Sequence, residues 1–430
     1  MLARLRLLLA LPVLCLLAGC AITPHRVSYF DAIAAAPVDN VMRVYVDGYG
    51  SVYPREPLMA DSIADYHWDG SLFNHFTGGN SPCREVMAAT EVLSLCSAIA
   101  QAALGEIDDD AVIAAWYQAQ EAIWRTRGQA IAKRAAANGQ SPTIVFLVHG
   151  FNTRFSEAVP SFAEARRIIT AKSANPQNLL FVETFWDGCS IQNGVGCWGQ
   201  AQASGPLVGF FMRQMMNAMN EGLAEQGVQA RVRMLSHSSG AFVIGSTLGN
   251  PDDVLPLLGK DGNYPYQRFA QHAADSEGTY RVPVFDDLAI GLLAPATTVK
   301  TFAGMGGVDQ GTLSRGMRLL YGINPDDEVI TKGFIGCSRF GITCMASNYS
   351  DYCDYLSGDE LLKRRRIGVT AYDFKRDEDR GEHAFEAYLT QIETNTSFLA
   401  DLMAPAGQMQ RAGEYICPAP EAPETVIAAD

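Results

Sequence analysis

The sequence predicts an α/β fold with a mainly parallel central sheet and helices on both faces, and three observations carry that expectation. First, strand-like apolar runs recur at Thr143–Val148, Leu179–Phe185, Arg231–Leu235, Asp287–Leu293, Met317–Tyr321 and Ile367–Phe374. Second, amphipathic segments fall between most of them. Ser156–Lys172 carries Val159, Phe162 and Ile169 on one face, Pro206–Gln226 carries Met212, Met215, Met219 and Leu223, and Ala384–Leu399 carries Phe385, Tyr388, Ile392 and Leu399. Strands that alternate with helices are expected to pair in parallel through crossovers, which lays helices over both faces. Third, two runs end abruptly in small and polar residues: T-I-V-F-L-V-H-G-F-N-T at Thr143–Thr153 and R-V-R-M-L-S-H-S-S-G at Arg231–Gly240. Sites in such sheets lie beyond the C-terminal ends of strands, so these endings mark where chemistry is expected.

Ahead of this core stands a targeting signature. Arg4 and Arg6 precede the apolar run Leu7–Leu17, which is too short to span a membrane, and the run closes on Leu17-Ala18-Gly19-Cys20. That ending resembles the bacterial lipobox, which implies removal of residues 1–19 and acylation of the Cys20 thiol. The plainer alternative is a secretory peptide cut nearby, with Cys20 incidental. Ala21 follows, with no Asp to signal inner-membrane retention, so the expected location is the outer membrane, lipid-anchored and facing the periplasm.

Cysteine usage agrees with export. Setting aside Cys15 in the signal and Cys20, there remain Cys83, Cys96, Cys189, Cys197, Cys337, Cys344, Cys353 and Cys417. An even set in an oxidising compartment implies disulfides. Proximity in the chain favours Cys83–Cys96, Cys189–Cys197 and Cys337–Cys344, which leaves Cys353–Cys417 to close a long loop and pin the C-terminal tail. None stands in a C-x-x-C or C-x-x-H arrangement, so no metal site is expected. A net charge of −14 makes nucleic acid an unsuitable partner, because binding phosphates needs clustered Lys and Arg. The short basic run Lys363–Arg366 reads as a solvated strand entrance.

Residues 20–140 are expected to be a tether and an extension that packs on the core. Val41–Asp47 alternates, with Met42, Val44 and Val46 on one side, as an edge strand with one buried face does. Asp108-Asp109-Asp110 opens a helix with Val112, Trp116, Ala119 and Ile123 on one stripe, and Asn138-Gly139 stops it. This helix either packs on the core or covers the site. The catalytic-type domain is expected over residues 141–404, with a Pro- and Ala-rich tail over 405–430.

The second ending has the spacing of a nucleophile elbow, S-x-S-x-G, with Ser238 on a tight strand-to-helix turn. Such a turn needs small residues around the serine, because strand and helix backbones come close. Ser236 stands where glycine is usual. A serine hydroxyl attacks only when a base takes its proton and a third group holds that base. The expected chain order is Ser, acid, His. His383 follows the last strand and is the only histidine after His272, so it is the base by position. The stretch Gly322 to Ile330 supplies the acid: an Asp followed by x-Val-Ile favours Asp327 over Asp326. Asp377 and Asp379 could orient His383 instead, but they read as solvated loop charges. The amides of Phe151 and Ser239 are the natural oxyanion donors, with Gly150 allowing close approach. His149 and His237 read as structural, His149 bracing its loop. Asp187–Gly205, which includes Trp198, reads either as a lid or acyl-pocket wall or as a disulfide-stapled surface loop.

These residues resemble the α/β-hydrolase superfamily. More narrowly, H-G-F-N-T, the elbow as small-H-S-x-G, and a strand ending in Ala294-Pro295 resemble an uncharacterised bacterial hydrolase family marked by that first motif. The resemblance covers about Val145 to Leu399 and implies an α/β-hydrolase fold and a Ser–Asp–His triad, here Ser238, Asp327 and His383. Two departures stand out. Thr297 and Thr298 occupy the stretch where the family often has Asp, and Trp186-Asp187-Gly188 replaces an aromatic-Pro turn. The expectation is an envelope-anchored serine hydrolase acting on carboxylic esters or thioesters of a small or lipid-like acyl group, needing no cofactor. An acyltransferase with the same triad and a non-catalytic binding lipoprotein are the alternatives.

Overall fold

The computed structural model describes residues 38–46, 96, 97, 100, 109–139, 141–151, 153–186, 188, 197–248, 285, 287–297, 317–331, 345, 347–357, 367–374, 383–405 and 407–418. Seven strands form one sheet: β1 (Val41–Val46), β2 (Thr143–Val148), β3 (Leu179–Trp186), β4 (Arg231–His237), β5 (Asp287–Leu293), β6 (Arg318–Ile323) and β7 (Gly368–Asp373). Their order is β1-β3-β2-β4-β5-β6-β7, and every pairing is parallel. This is an α/β architecture. The strands at its centre are apolar on both sides because both sides are covered. In β2, Val145 and Leu147 pack with Phe162, Ile169, Phe385 and Phe398, while Ile144, Phe146 and Val148 pack with Met212, Met216, Met219 and Val243.

The helices that supply those residues are α1 (Asp109–Asn138), α2 (Phe155–Lys172), α3 (Cys197–Ala224), α4 (Gly240–Leu248), the short α5 (Glu328–Thr331), α6 (Phe385–Asn395) and α7 (Phe398–Met403). The expected extension helix is α1, ended by Gly139 in the left-handed region at φ 67°. It packs chiefly along α3. Gly128 lies against the Met219 carbonyl and Gly222 against the Arg125 carbonyl, so closely that a Cβ on either would meet the opposing oxygen at 2.1 Å.

Two helices differ from expectation. The segment read as Pro206–Gln226 begins at Cys197 and ends at Ala224, with Pro206 inside α3. Ala384–Leu399 breaks into α6 and α7, because the Ser397 N–H leaves the helix to donate to the Ala412 carbonyl at 2.9 Å. The edge strand β1 is present, but its second half is buried on both faces: Tyr45 is covered and stacks on Phe185 at 5.0 Å. Arg43 turns inward to the fully buried Glu183, its register partner on β3, at 3.0 Å.

At the opposite edge, residues 407–418 return along β7. Asp373 N–H donates to Gly413, Tyr415 N–H donates to Ala371, and Tyr372 and Glu414 form an antiparallel bridge. The buried Asp401 carboxylate holds this return, accepting from the Tyr372 hydroxyl at 2.8 Å, the Arg411 amide at 2.8 Å, the Gln410 amide and the Ser397 hydroxyl. Cys353 and Cys417 are joined in a disulfide, as pairing by remainder had left them. Cys96 is also disulfide-bonded. The other pairing expectations involve Cys83, Cys189, Cys337 and Cys344, which lie outside the described residues, as do residues 1–37 with Cys20.

The sheet order fixes where a site can form. From β2 the chain passes to β3 on one side, then returns to β4 on the other side of β2 and continues outward. Adjacent strands whose connections leave in opposite directions open a crevice at their C-terminal ends. Here those strands are β2 and β4.

Candidate active site

At the end of β4 the chain turns within two residues, Ser238 and Ser239, into α4. Ser238 has φ 52°, a left-handed conformation that costs a non-glycine residue roughly 1–2 kcal/mol. The neighbouring strand end holds it there. Ser238 N–H donates to the Leu293 carbonyl at 2.9 Å, and the Ser238 carbonyl accepts from Ala241 at 3.1 Å and from Ala296 at 3.2 Å. Ala296 reaches it because Ala294, at φ 44°, bends the chain after β5. Glycine is needed twice. A Cβ on Gly240 would sit 2.7 Å from the His149 carbonyl, and one on Gly150 would sit 2.9 Å from the Ser238 Cβ. The H-G-F turn and the elbow therefore touch through backbone.

His383 stands just before α6 and faces Ser238. Its Nε2 is 2.8 Å from Ser238 Oγ, and its Nδ1 is 2.7 Å from Asp327 Oδ2. Asp327 is fully buried at the start of α5. Its Oδ1 caps that turn, accepting from Val329 N–H at 2.9 Å and Ile330 N–H at 3.2 Å. That is the physical content of an acid followed by x-Val-Ile. Asp326, partly exposed, instead closes its turn through its own amide to Asn324 Oδ1 at 3.1 Å. The structure thus brings Ser238, Asp327 and His383 together and leaves Asp326 outside. Asp377 and Asp379 lie outside the described residues.

Burial by itself would raise the Asp327 carboxyl. The hydrogen bond and charge of His383, then the Tyr388 hydroxyl and the Ile330 amide, outweigh it and leave the group below the usual carboxylate range. Sequence reasoning missed Tyr388 in this role. Its hydroxyl donates to Asp327 Oδ2 at 2.5 Å and accepts from Asn324 Nδ2 at 3.1 Å. The available signal was a phenol, rather than Phe, on the otherwise apolar stripe of the last helix.

The two other local histidines are structural. His149 Nδ1–H donates to the Gly150 carbonyl at 2.6 Å, and its Nε2 accepts from Trp186 N–H at 3.1 Å. Both nitrogens are thereby committed and the ring is neutral. Trp186 answers with its indole N–H on the His149 carbonyl at 2.9 Å, so Trp186 braces the H-G-F turn. His237 lies flat on Phe385, with ring centroids 5.3 Å apart, and 4.7 Å from the His383 ring. Burial above all, then the neighbouring His383, pushes it well below the ordinary histidine range, and it stays uncharged.

The expected oxyanion donors are also adjacent, but not as two waiting amides. Phe151 N–H donates to Oγ of Ser239 at 2.6 Å. Phe151 packs with Phe242, Ala296 and Ile330, an apolar group beside the nucleophile. Of the expected lid, residues 197–205 belong to α3, and Asp187 and residues 189–196 lie outside the described residues.

No family model matches this chain, and no curated protein does. Among solved structures, the chain is similar to an uncharacterised protein from Pseudomonas aeruginosa, at 11% identity and a TM-score of 0.28, over 66% of this chain and 50% of that one. The aligned part thus spans half the length of that protein.

Proposed function

We propose that this chain is a serine hydrolase of the α/β-hydrolase type, cleaving carboxylic esters or thioesters through an acyl-enzyme. The observation that carries the reading is the continuous hydrogen-bond chain from Ser238 Oγ through His383 to Asp327, with 2.8 and 2.7 Å links. The left-handed elbow at the β2/β4 switch point supports it, because such a turn sets a nucleophile at the strand ends where the crevice forms. In the first half-reaction the Ser238 oxygen bonds to the acyl carbon while His383 Nε2 takes its proton. His383 then gives that proton to the departing alcohol or thiol. Water repeats the sequence: its oxygen attacks the acyl carbon, its proton goes to His383, and the proton returns to Ser238 as the acid leaves. Asp327 remains ionised and holds His383 with Nδ1–H toward it. The lipobox ending in Cys20 extends the proposal to a lipid-anchored enzyme of the bacterial envelope, acting on small or lipid-like acyl substrates.

A fluorophosphonate probe tests this. The purified protein should form an adduct at Ser238, absent in Ser238→Ala and strongly reduced in His383→Ala. A folded wild-type protein that takes no adduct would sink the proposal.

A further inference from the structure

The Phe151 amide is already occupied in the resting protein. Its N–H points at Ser239 Oγ, 2.6 Å away, and Ser239 has no exposed surface. A backbone amide has one proton, and it counts toward an oxyanion only when the oxygen lies about 2.7–3.1 Å from it. The Ser239 hydroxyl is therefore a competing acceptor inside the machinery. The turn has other fastenings besides that hydroxyl. Gly150 rests against the Ser238 Cβ, His149 and Trp186 exchange hydrogen bonds, and the Phe151 ring packs on Ala296 and Ile330.

We infer that Ser239 is a positioning residue of the oxyanion hole: its hydroxyl occupies the Phe151 amide at rest and must turn away before that amide reaches the substrate oxyanion. The inference rests on the serine-hydrolase reading. A serine side chain has three staggered wells, so the movement required is a turn about χ1. The amide then exchanges a hydroxyl acceptor for an anionic one. The resting bond is lost at each formation of the tetrahedral intermediate, and one ordinary hydrogen bond corresponds to about a fivefold brake on the rate.

The test compares Ser239→Ala, Ser239→Cys and Ser239→Thr with wild type in the full chain. It measures hydrolysis of a p-nitrophenyl ester and inhibition by phenylboronic acid, whose tetrahedral adduct uses the hole. Removing the hydroxyl as alanine should raise kcat about fivefold with KM unchanged and tighten boronate binding by a similar factor. Cysteine, nearly isosteric and a weak acceptor, should move the same way. Threonine keeps the hydroxyl and restricts its rotation, so it should not exceed wild type. A tenfold or greater fall in kcat and boronate affinity for alanine would mean that the hydroxyl itself donates to the oxyanion, and would overturn the inference. Unchanged kinetics would overturn it too, leaving Ser239 a fastener of the turn. If the alanine protein does not fold, the cysteine and threonine pair decides the matter. A wild-type protein with no fluorophosphonate adduct at Ser238 would instead remove the parent reading, so the two failures are told apart.

Discussion

The Tyr388 hydroxyl lies 2.5 Å from Asp327 Oδ2, the same oxygen that receives His383 Nδ1–H at 2.7 Å. Two donors thus share one carboxylate oxygen. Tyr388→Phe should return charge to that oxygen and strengthen its bond to the imidazolium form of His383. The acid limb of the kcat/KM profile should then move to higher pH, with the plateau rate held within a few-fold. The change also strips an acceptor from Asn324 Nδ2, so stability should fall by about 1–2 kcal/mol. A profile that does not move while the melting temperature drops would reduce Tyr388 to a packing role.

The choice of acid is equally direct. Asp327→Asn should lower kcat by roughly 10³–10⁴, since an amide at that position no longer holds the productive tautomer of His383. Asp326→Asn should change it little. Asp327 also links stability to pH. Its folded value is held below the unfolded one, near 3.8, so its contribution is present above that value and is lost as pH falls through the lower folded value. Acid titration of the Asp327→Asn protein should lack that component. Equal activity losses in both variants would contradict the assignment.

What the sequence revealed follows from how local each signal is. β2 and β5 were read with their observed limits, because a strand buried on both faces is a continuous apolar run with polar ends. Ser238, Asp327 and His383 were legible as a set because they follow successive strands in a fixed order: Ser238 directly after β4, Asp327 after β6 and His383 after β7. Tyr388, Trp186 and the Ser239 hydroxyl were not, because their roles depend on partners far along the chain: 61 residues to Asp327, 37 to His149 and 88 to Phe151. The break at Ser397 likewise depends on the returning Ala412, 15 residues away. Periodicity alone continues straight through it.

Ser236 occupies the place where an elbow usually has glycine, and it is buried with its hydroxyl unpaired among the described residues. A buried hydroxyl without a partner costs about 1–3 kcal/mol. Ser236→Ala should therefore be neutral or raise stability by about 1 kcal/mol, since it keeps the Cβ that lies close to Gly240. Fluorophosphonate labelling at Ser238 should continue at the wild-type rate. A clear loss of stability in thermal melts would show that the hydroxyl has a partner after all.

The Cys353–Cys417 disulfide spans 64 residues of sequence and ties the strand-like return beside β7 to the turn at Tyr352–Leu356. In the chain-entropy account a loop of that length contributes about 4 kcal/mol, less any native strain. Its loss should be felt first at the edge. Asp373, Ala371 and Ser397 each depend on residues 412–415 for a backbone hydrogen bond, and the buried Asp401 carboxylate takes two of its four donors from the adjoining Gln410 and Arg411 amides. Opening the return would take two donors from that buried charge, so the edge and the C-terminal helices should loosen together rather than fray. Replacing both cysteines by alanine should lower the melting temperature by several degrees and make residues 407–418 the earliest site of proteolysis. Ser238 labelling at 25 °C should persist, because Cys353 and Cys417 pack with Tyr321, whereas Phe385 and Tyr388 of the helix after His383 belong to the other core cluster. Proteolysis that begins elsewhere, with an unchanged melt, would show that the return is held by Asp401 alone.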